Sequence, residues 1–251
     1  MKAFWDSKAR ENARYYVSSF RPYADQDWQE FWKSGETLAE RFLTESEIPF
    51  TGSEKVLEIG CGIGRMTKCF ARRFSEVHGI DVSAEMISQA QSHLGEYNNV
   101  SLYAGNGRDL SCFPGASFDF VFSYITFQHI PTVAITMEYI REVGRVLKTG
   151  GHFYFQVNNL PIGIRYRLRL RSRLASLEKW FRKPGESGGQ MSGEASGPVG
   201  LDHPAWRGSR VTISQIRKAC SLADLKILTM KGRGTQYLWV KAIKHSPAPA
   251  L

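Results

Sequence analysis

The chain has 251 residues, 42% of them hydrophobic, enough to bury one full α/β core and too few for two separate enzymatic domains. The formal charge of +9 is concentrated, because eight basic residues and a single acid fall within 165–183 and leave the rest close to neutral. No apolar run reaches the roughly 18 residues of a membrane helix, and the start, "MKAFWDSKARENARYY", lacks the apolar centre of a signal peptide, so the expected location is cytoplasmic. Cys61, Cys69, Cys112 and Cys220 form no CxxC pair and have no histidine at metal-ligand spacing, which argues against a disulfide framework and against a zinc site.

In chain order, 1–50 is rich in aromatics (Trp5, Tyr15, Tyr16, Phe20, Tyr23, Trp28, Phe31, Trp32) and is expected to form a helical cap packed on the rest. From residue 55 onward short β-branched runs alternate with helical stretches, the pattern of parallel βαβ units. Strands are expected at "KVLEIG", "EVHGID", "VSLYAG", "FDFVFSY" and "HFYFQV", with helices over 64–74, 84–94 and 133–147, the last ended by the glycines of "KTGG". These elements make 51–158 a core domain. The following 159–210 holds the basic stretch and then "PGESGGQMSGEASGPVG", and is expected to be a lid-like insertion. Over 211–251, "TISQIRKACSLA" reads as a helix capped by Thr212 or Ser214. "LKILTMK" and "TQYLWVKAI" read as strands joined at "GRG". No internal repeat is present.

The stretch "VLEIGCGIGRMT" places Gly60, Gly62 and Gly64 directly after a buried strand and before a helix, where backbone can approach a ligand closely and helix N–H groups are free. A dinucleotide fold calls for GxGxxG, but the spacing here is GxGxG, with Arg65 at the sixth position. Asp81, at the end of "VHGID", is placed to accept hydrogen bonds from ribose hydroxyls. Glu58 would repel a pyrophosphate but suits a ligand bearing an ammonium, which favours S-adenosylmethionine.

With "GIDVSAEMI", "GNGRDL", "FDFVFSYITFQHIP" and "EVGRVLKTGGHFYFQV" following in order, the chain resembles class I S-adenosylmethionine-dependent methyltransferases of the small-molecule type, strongly over about 50–158. The resemblance implies a Rossmann-like α/β fold with a seven-stranded, mostly parallel sheet whose last strand is antiparallel, and S-adenosyl-L-methionine as cofactor. It places Glu58, Gly60, Cys61 and Gly62 around the methionine moiety, Asp81 and Val82 at the ribose, and Met86, Asn106 and Gly107 near adenine. Ser123 and Tyr124 match positions beside the transferable methyl. Asn106 departs from the family's usual aspartate there. An N-terminal segment commonly covers the cofactor in this family, and "FWKSGE" is expected nearest to it.

On the acceptor side, "SYITFQH" replaces the Pro-Pro motif of adenine and glutamine N-methyltransferases, and no Pro-Cys nucleophile for cytosine C5 is present. His129 is the histidine nearest the expected methyl site, and two roles stand open for it: general base, or partner of backbone groups in the turn before Pro131. Resemblance to phosphoethanolamine-type enzymes adds an N-terminal tyrosine as partner, with Tyr15, Tyr16 and Tyr23 as candidates; Tyr16 and His129 are the catalytic assignment. Within the basic segment Leu170, Leu174, Leu177 and Phe181 share a helical face, and it reads first as a substrate lid. The expected activity is methylation of a small-molecule O or N acceptor, with nucleic acid an unlikely partner. The alternatives are an RNA methyltransferase using the basic segment as a phosphate clamp, or a noncatalytic cofactor-binding subunit.

Overall fold

The computed structural model describes residues 1–18, 22–24, 27–161, 200 and 202–245. The basic stretch, the Gly/Ser-rich sequence after it and Phe20 lie outside the described residues, so the lid and clamp expectations concern positions not described.

Seven strands form one sheet in the order β3-β2-β1-β4-β5-β7-β6: β1 Lys55–Ile59, β2 Glu76–Asp81, β3 Val100–Ala104, β4 Phe118–Ser123, β5 Leu147–Val157, β6 Leu225–Lys231 and β7 Leu238–Lys244. The first five pair in parallel, and β7 is antiparallel to both β5 and β6, as the sequence led one to expect. Among the described residues, seven α-helical pieces and the 3-10 turn Thr126–His129 connect or cover them: α1 Lys2–Val17, α2 Trp28–Ser46, α3 Thr67–Arg73, α4 Ala84–Leu94, α5 Val133–Val146, a single helical turn Pro204–Arg207, and α6 Ile213–Leu222.

Side-chain alternation along the central strands builds two cores. Val56, Phe120, Phe122 and Tyr154 face Ala39 and Phe42 of α2 and Phe70 of α3. Leu57, Val121, Phe153 and Phe155 face the other way, onto Ile140 and Val143 of α5 and Ile216 of α6. Full burial of such side chains contributes about 1.5–3 kcal/mol each, so these two layers fix the sheet and leave its carboxyl-terminal edge to be shaped by loops. Helix α6 starts with a capping box in which the Thr212 hydroxyl accepts from the Gln215 N–H and Gln215 Oε1 accepts from the Thr212 N–H, which selects Thr212 over Ser214.

Among the boundaries that differ from the sequence expectation, two have a clear physical reason. Helix α3 starts at Thr67 and not at residue 64, because Gly60, Gly62 and Gly64 all adopt positive φ (78°, 55° and 86°) and the chain uses this stretch for a turn before it can wind. Helix α5 ends at Val146 without a glycine cap. Leu147 is already extended and pairs with Phe118, and "KTGG" forms an irregularity inside β5, after which pairing resumes at Phe120 and His152.

The N-terminal helices lie over the sheet end. Asp6 of α1 accepts from the Ser83 hydroxyl at 2.7 Å and from the Glu85 N–H at 3.2 Å, so α1 helps cap the first turn of α4. Ala9, Ala13 and Tyr16 then bury against Phe31, Ile63 and Met86.

Candidate active site

A cleft of about 990 Å³, its open mouth included, lies at the carboxyl ends of β1, β2 and β4, where parallel α/β sheets place ligands. Its walls come from α1 (Met1, Trp5, Tyr16, Val17), the glycine turn (Glu58 to Gly62, then Arg65 and Met66), the end of β2 with α4 (Ile80, Asp81, Val82, Met86), and the turn after β4 (Tyr124, Ile125, Thr126, His129, Ile130) with Tyr139. Among the sequence-derived candidates, Glu58, Gly60, Cys61, Gly62, Asp81, Val82, Met86, His129 and Tyr16 thus line one cavity.

The acids at one end share an unusual environment. Asp81 accepts from the Gly62 N–H at 3.0 Å and from the Ser83 N–H at 2.9 Å, one to each oxygen, which ties the glycine turn to β2. Burial raises its carboxyl to about 6, against the opposing pull of those N–H groups. Glu58 is buried with the Thr67 hydroxyl donating to it at 2.6 Å. Burial pushes it up to about 8; Asp81 reinforces that shift, whereas Thr67 and Arg65 oppose it. Two carboxylates held in a mainly apolar cleft fit a ligand that brings positive charge and hydroxyl donors, and Asp81 keeps acceptor capacity beyond its two N–H bonds. S-adenosylmethionine, with its ammonium, sulfonium and ribose, meets that donor set. Cys61 is buried, its thiol raised well above the ordinary range by burial, and its sulfur packs toward Gly79 of β2, so it is a protonated filler of the wall.

At the other end the His129 ring is held by its Nδ1–H, which donates to the Trp206 carbonyl at 2.6 Å and thereby leaves Nε2 as the lone-pair nitrogen, 3.5 Å from the Gln128 amide nitrogen. Trp5 and Trp206 pack against the ring with centroids 5.4 and 5.1 Å away. Burial lowers the imidazole to about 4, so it is neutral near pH 7. The Tyr16 hydroxyl donates to Glu11 at 2.7 Å and its ring meets Trp206 edge-on; burial first and Glu11 second raise its pKa. Tyr23 also donates to Glu11, at 2.8 Å, but is not in the cleft wall, and neither is Tyr15. Of the three tyrosines, Tyr16 is the one that the fold brings to the cleft with His129.

Several candidates are placed otherwise. Asn106 is exposed and its side chain is consumed in its own turn, accepting from the Arg108 and Asp109 N–H groups and donating to Asp109, so its amide does not reach the cleft. Gly107 lies behind the wall: a Cβ there would fall 2.8 Å from both Val82 and Met1, the residues that do face the cavity. Ser123 is fully buried and donates to the Ile59 carbonyl at 2.9 Å, pinning β4 to β1. It is Tyr124 that lines the cleft. The "FWKSGE" segment sits one layer back, with the Phe31 carbonyl and the Ser34 hydroxyl both accepting from Arg65. A Cβ on Gly62 would meet Val17 at 2.7 Å, so bulk at that position acts by displacing α1.

Sequence reasoning did not single out Met1, Val17, Arg65, Ile125, Thr126, Tyr139 or Trp206. Arg65 had a signal in its place beside Gly64. Trp206 had none, since it returns to the site 77 residues after His129.

This fold, which carries the carboxylates and glycine turn at one end of its cleft, is shared with solved methyltransferase structures, and part of the chain is similar in sequence to methyltransferases. A family model described as a methyltransferase domain matches residues 56–151. Among curated proteins, the chain is 32% identical over 132 residues to a demethylmenaquinone methyltransferase of Tropheryma whipplei, covering 51% of this chain and 53% of that protein. It is 30% identical over 141 residues to a ubiquinone biosynthesis O-methyltransferase of Xanthomonas oryzae pv. oryzae, covering 53% and 58%. The matched part thus spans about half the length of these relatives. In fold, it is similar to the crystal structure of magnesium protoporphyrin IX methyltransferase from Synechocystis with bound SAH, with a TM-score of 0.60, 15% identity and 97% of each chain covered. Among the described residues there is no cluster of potential metal ligands and no helix long and apolar enough to cross a membrane.

Proposed function

We propose that this chain methylates a hydroxyl or amine of a small-molecule acceptor, with Glu58, Gly60, Gly62, Asp81, Val82 and Met86 holding the cofactor and His129 serving as base. S-adenosylmethionine supplies an activated methyl group on a sulfonium. The neutral His129 Nε2 accepts the proton that leaves the acceptor oxygen or nitrogen as it gains the methyl carbon. Tyr16, whose own O–H is committed to Glu11, turns an oxygen lone pair to the acceptor and orients it. Trp5 closes the wall beside His129, with Trp206 behind it, and excludes water.

The observation that carries this reading is the continuity of the cleft: Glu58 and Asp81, with their raised carboxyls, and His129 line the same cavity. The names of the two curated relatives support screening hydroxylated aromatic rings and demethylated quinols first. The test is transfer of labelled methyl from S-adenosylmethionine to a panel of phenols, catechols, hydroquinones and amines, alongside mixed RNA. Small-molecule labelling that falls about a hundredfold or more in His129→Ala, with SAH affinity retained, is the expected result. Labelling confined to RNA would overturn the acceptor class.

A further inference from the structure

Strand β5 runs through the core as Phe153, Tyr154, Phe155, Gln156, Val157, all buried, and the one amide among them is fully enclosed. Burial by itself favours an apolar residue at this position, and an amide there is retained at a cost unless every polar atom is paired. Here each is paired, and the partners are not β-ladder groups. Gln156 Oε1 accepts the Ile125 N–H at 3.0 Å. Its Nε2 donates to Gln128 Oε1 at 3.3 Å and to the Gln236 carbonyl in the β6–β7 hairpin.

Two of these contacts, to Ile125 and to Gln128, lead to the cleft. Ile125 has φ of +64°, a left-handed conformation that a β-branched residue adopts only when its surroundings impose it. That turn sets Thr126 directly over the glycine turn, where a Cβ on Gly60 would fall 1.9 Å from the Thr126 hydroxyl. The second contact orients the Gln128 amide: with Oε1 held by Gln156, its nitrogen is the end directed at His129 Nε2. We propose that Gln156 is the positioning residue of this site, its carbonyl oxygen fixing the Ile125–Thr126 turn against the cofactor half and its amide nitrogen fixing Gln128 and, through it, the His129 ring in the acceptor half. The inference rests on the reading that the cleft binds S-adenosylmethionine and that His129 is the base.

The two ends of the amide separate experimentally. Gln156→Met keeps length and removes all three contacts. Gln128→Met, at a half-buried position, removes the link from Gln156 to His129 and leaves the Ile125 contact in place. Wild type and both variants are compared by calorimetric titration with SAH, by NMR of the His129 ring carbons and protons across acidic to neutral pH, and by thermal unfolding. Gln156→Met is expected to weaken SAH binding about tenfold or more and to shift the His129 titration upward. Gln128→Met is expected to leave SAH affinity within about twofold and to shift the His129 titration alone. A folded Gln156→Met protein with wild-type affinity and wild-type His129 resonances overturns the proposal, as does equal loss of SAH affinity in both variants. Should Gln156→Met not fold, the Gln128→Met titration decides, and unchanged His129 resonances there count against it. Failure of the wild type itself to bind SAH would instead remove the cofactor reading, a different outcome from any of these.

Discussion

The Trp206 carbonyl accepts the Nδ1–H of His129 at 2.6 Å, joining the turn after β4 to the helical turn Pro204–Arg207. Two further contacts make this a staple: the Ser209 N–H donates to the Ile130 carbonyl at 2.7 Å, and Gly208 lies so close to Gln128 that a Cβ would fall 1.7 Å from its carbonyl oxygen. With φ of 55° and ψ of −167°, Gly208 also occupies a backbone region essentially closed to other residues. Gly208→Ala is therefore expected to cost about 1–3 kcal/mol of stability and to detach Trp206 from His129. Urea unfolding and the His129 ring resonances check the two halves of that expectation.

His129 also makes stability depend on pH. Its folded value, about 4, lies below the ordinary 6.5, so the unfolded chain binds the proton more readily. The contribution is complete above about pH 6.5 and is lost as pH falls toward 4. Replacement by glutamine, which does not titrate, should flatten the stability profile across that window. Denaturant midpoints at pH 4.5, 5.5 and 7 read the slope directly.

Glu58 and Asp81 act with the opposite sign. Their folded values, about 8 and about 6, stand above the ordinary 4.5 and 3.8, so the ligand-free protein is favoured below about pH 4 and loses that contribution as pH rises toward 8. A cationic ligand reverses the trend by favouring both carboxylates. Glu58→Gln should make the ligand-free protein less sensitive to pH between 5 and 8, and should weaken S-adenosylmethionine, with its sulfonium, more than SAH, with its neutral thioether. Thermal shifts with and without each ligand over that range distinguish the two effects.

Asp81→Asn keeps the size of the side chain while removing its charge and one acceptor. A weakening of SAH binding by about 1–3 kcal/mol is expected, close to the worth of hydrogen bonds to a charged group, with the fold intact. Calorimetry that returns an unchanged affinity would take Asp81 out of the site.

Asp6 is the latch of the N-terminal helix, through Ser83 and the first turn of α4. Asp6→Ala should cost about 1 kcal/mol as a lost cap, and should expose α1 to limited proteolysis more than the rest of the chain. Because Met1, Trp5, Tyr16 and Val17 of that helix line the cleft, SAH affinity should fall with it.

How much of this was legible beforehand follows the range of the forces involved. Gly60, Gly62, Glu58 and Asp81 were readable because the glycine turn and the acid at the end of the next strand are set by local backbone geometry and by a strand spacing that the βαβ pattern fixes. The strands themselves followed from apolar alternation, the antiparallel last strand from the family resemblance, and the strand order only from the structure. Asn106 and Ser123 held the expected chain positions, yet their side chains found nearer partners, the Asp109 turn and the Ile59 carbonyl, and a one-dimensional match has no access to such competition. Trp206, Gln156 and the choice of Tyr16 among three tyrosines were decided only in three dimensions. Each depends on contacts between residues 28 to 80 or more positions apart, or on which face of a kinked α1 meets the cleft, and those are set by packing that no local pattern encodes.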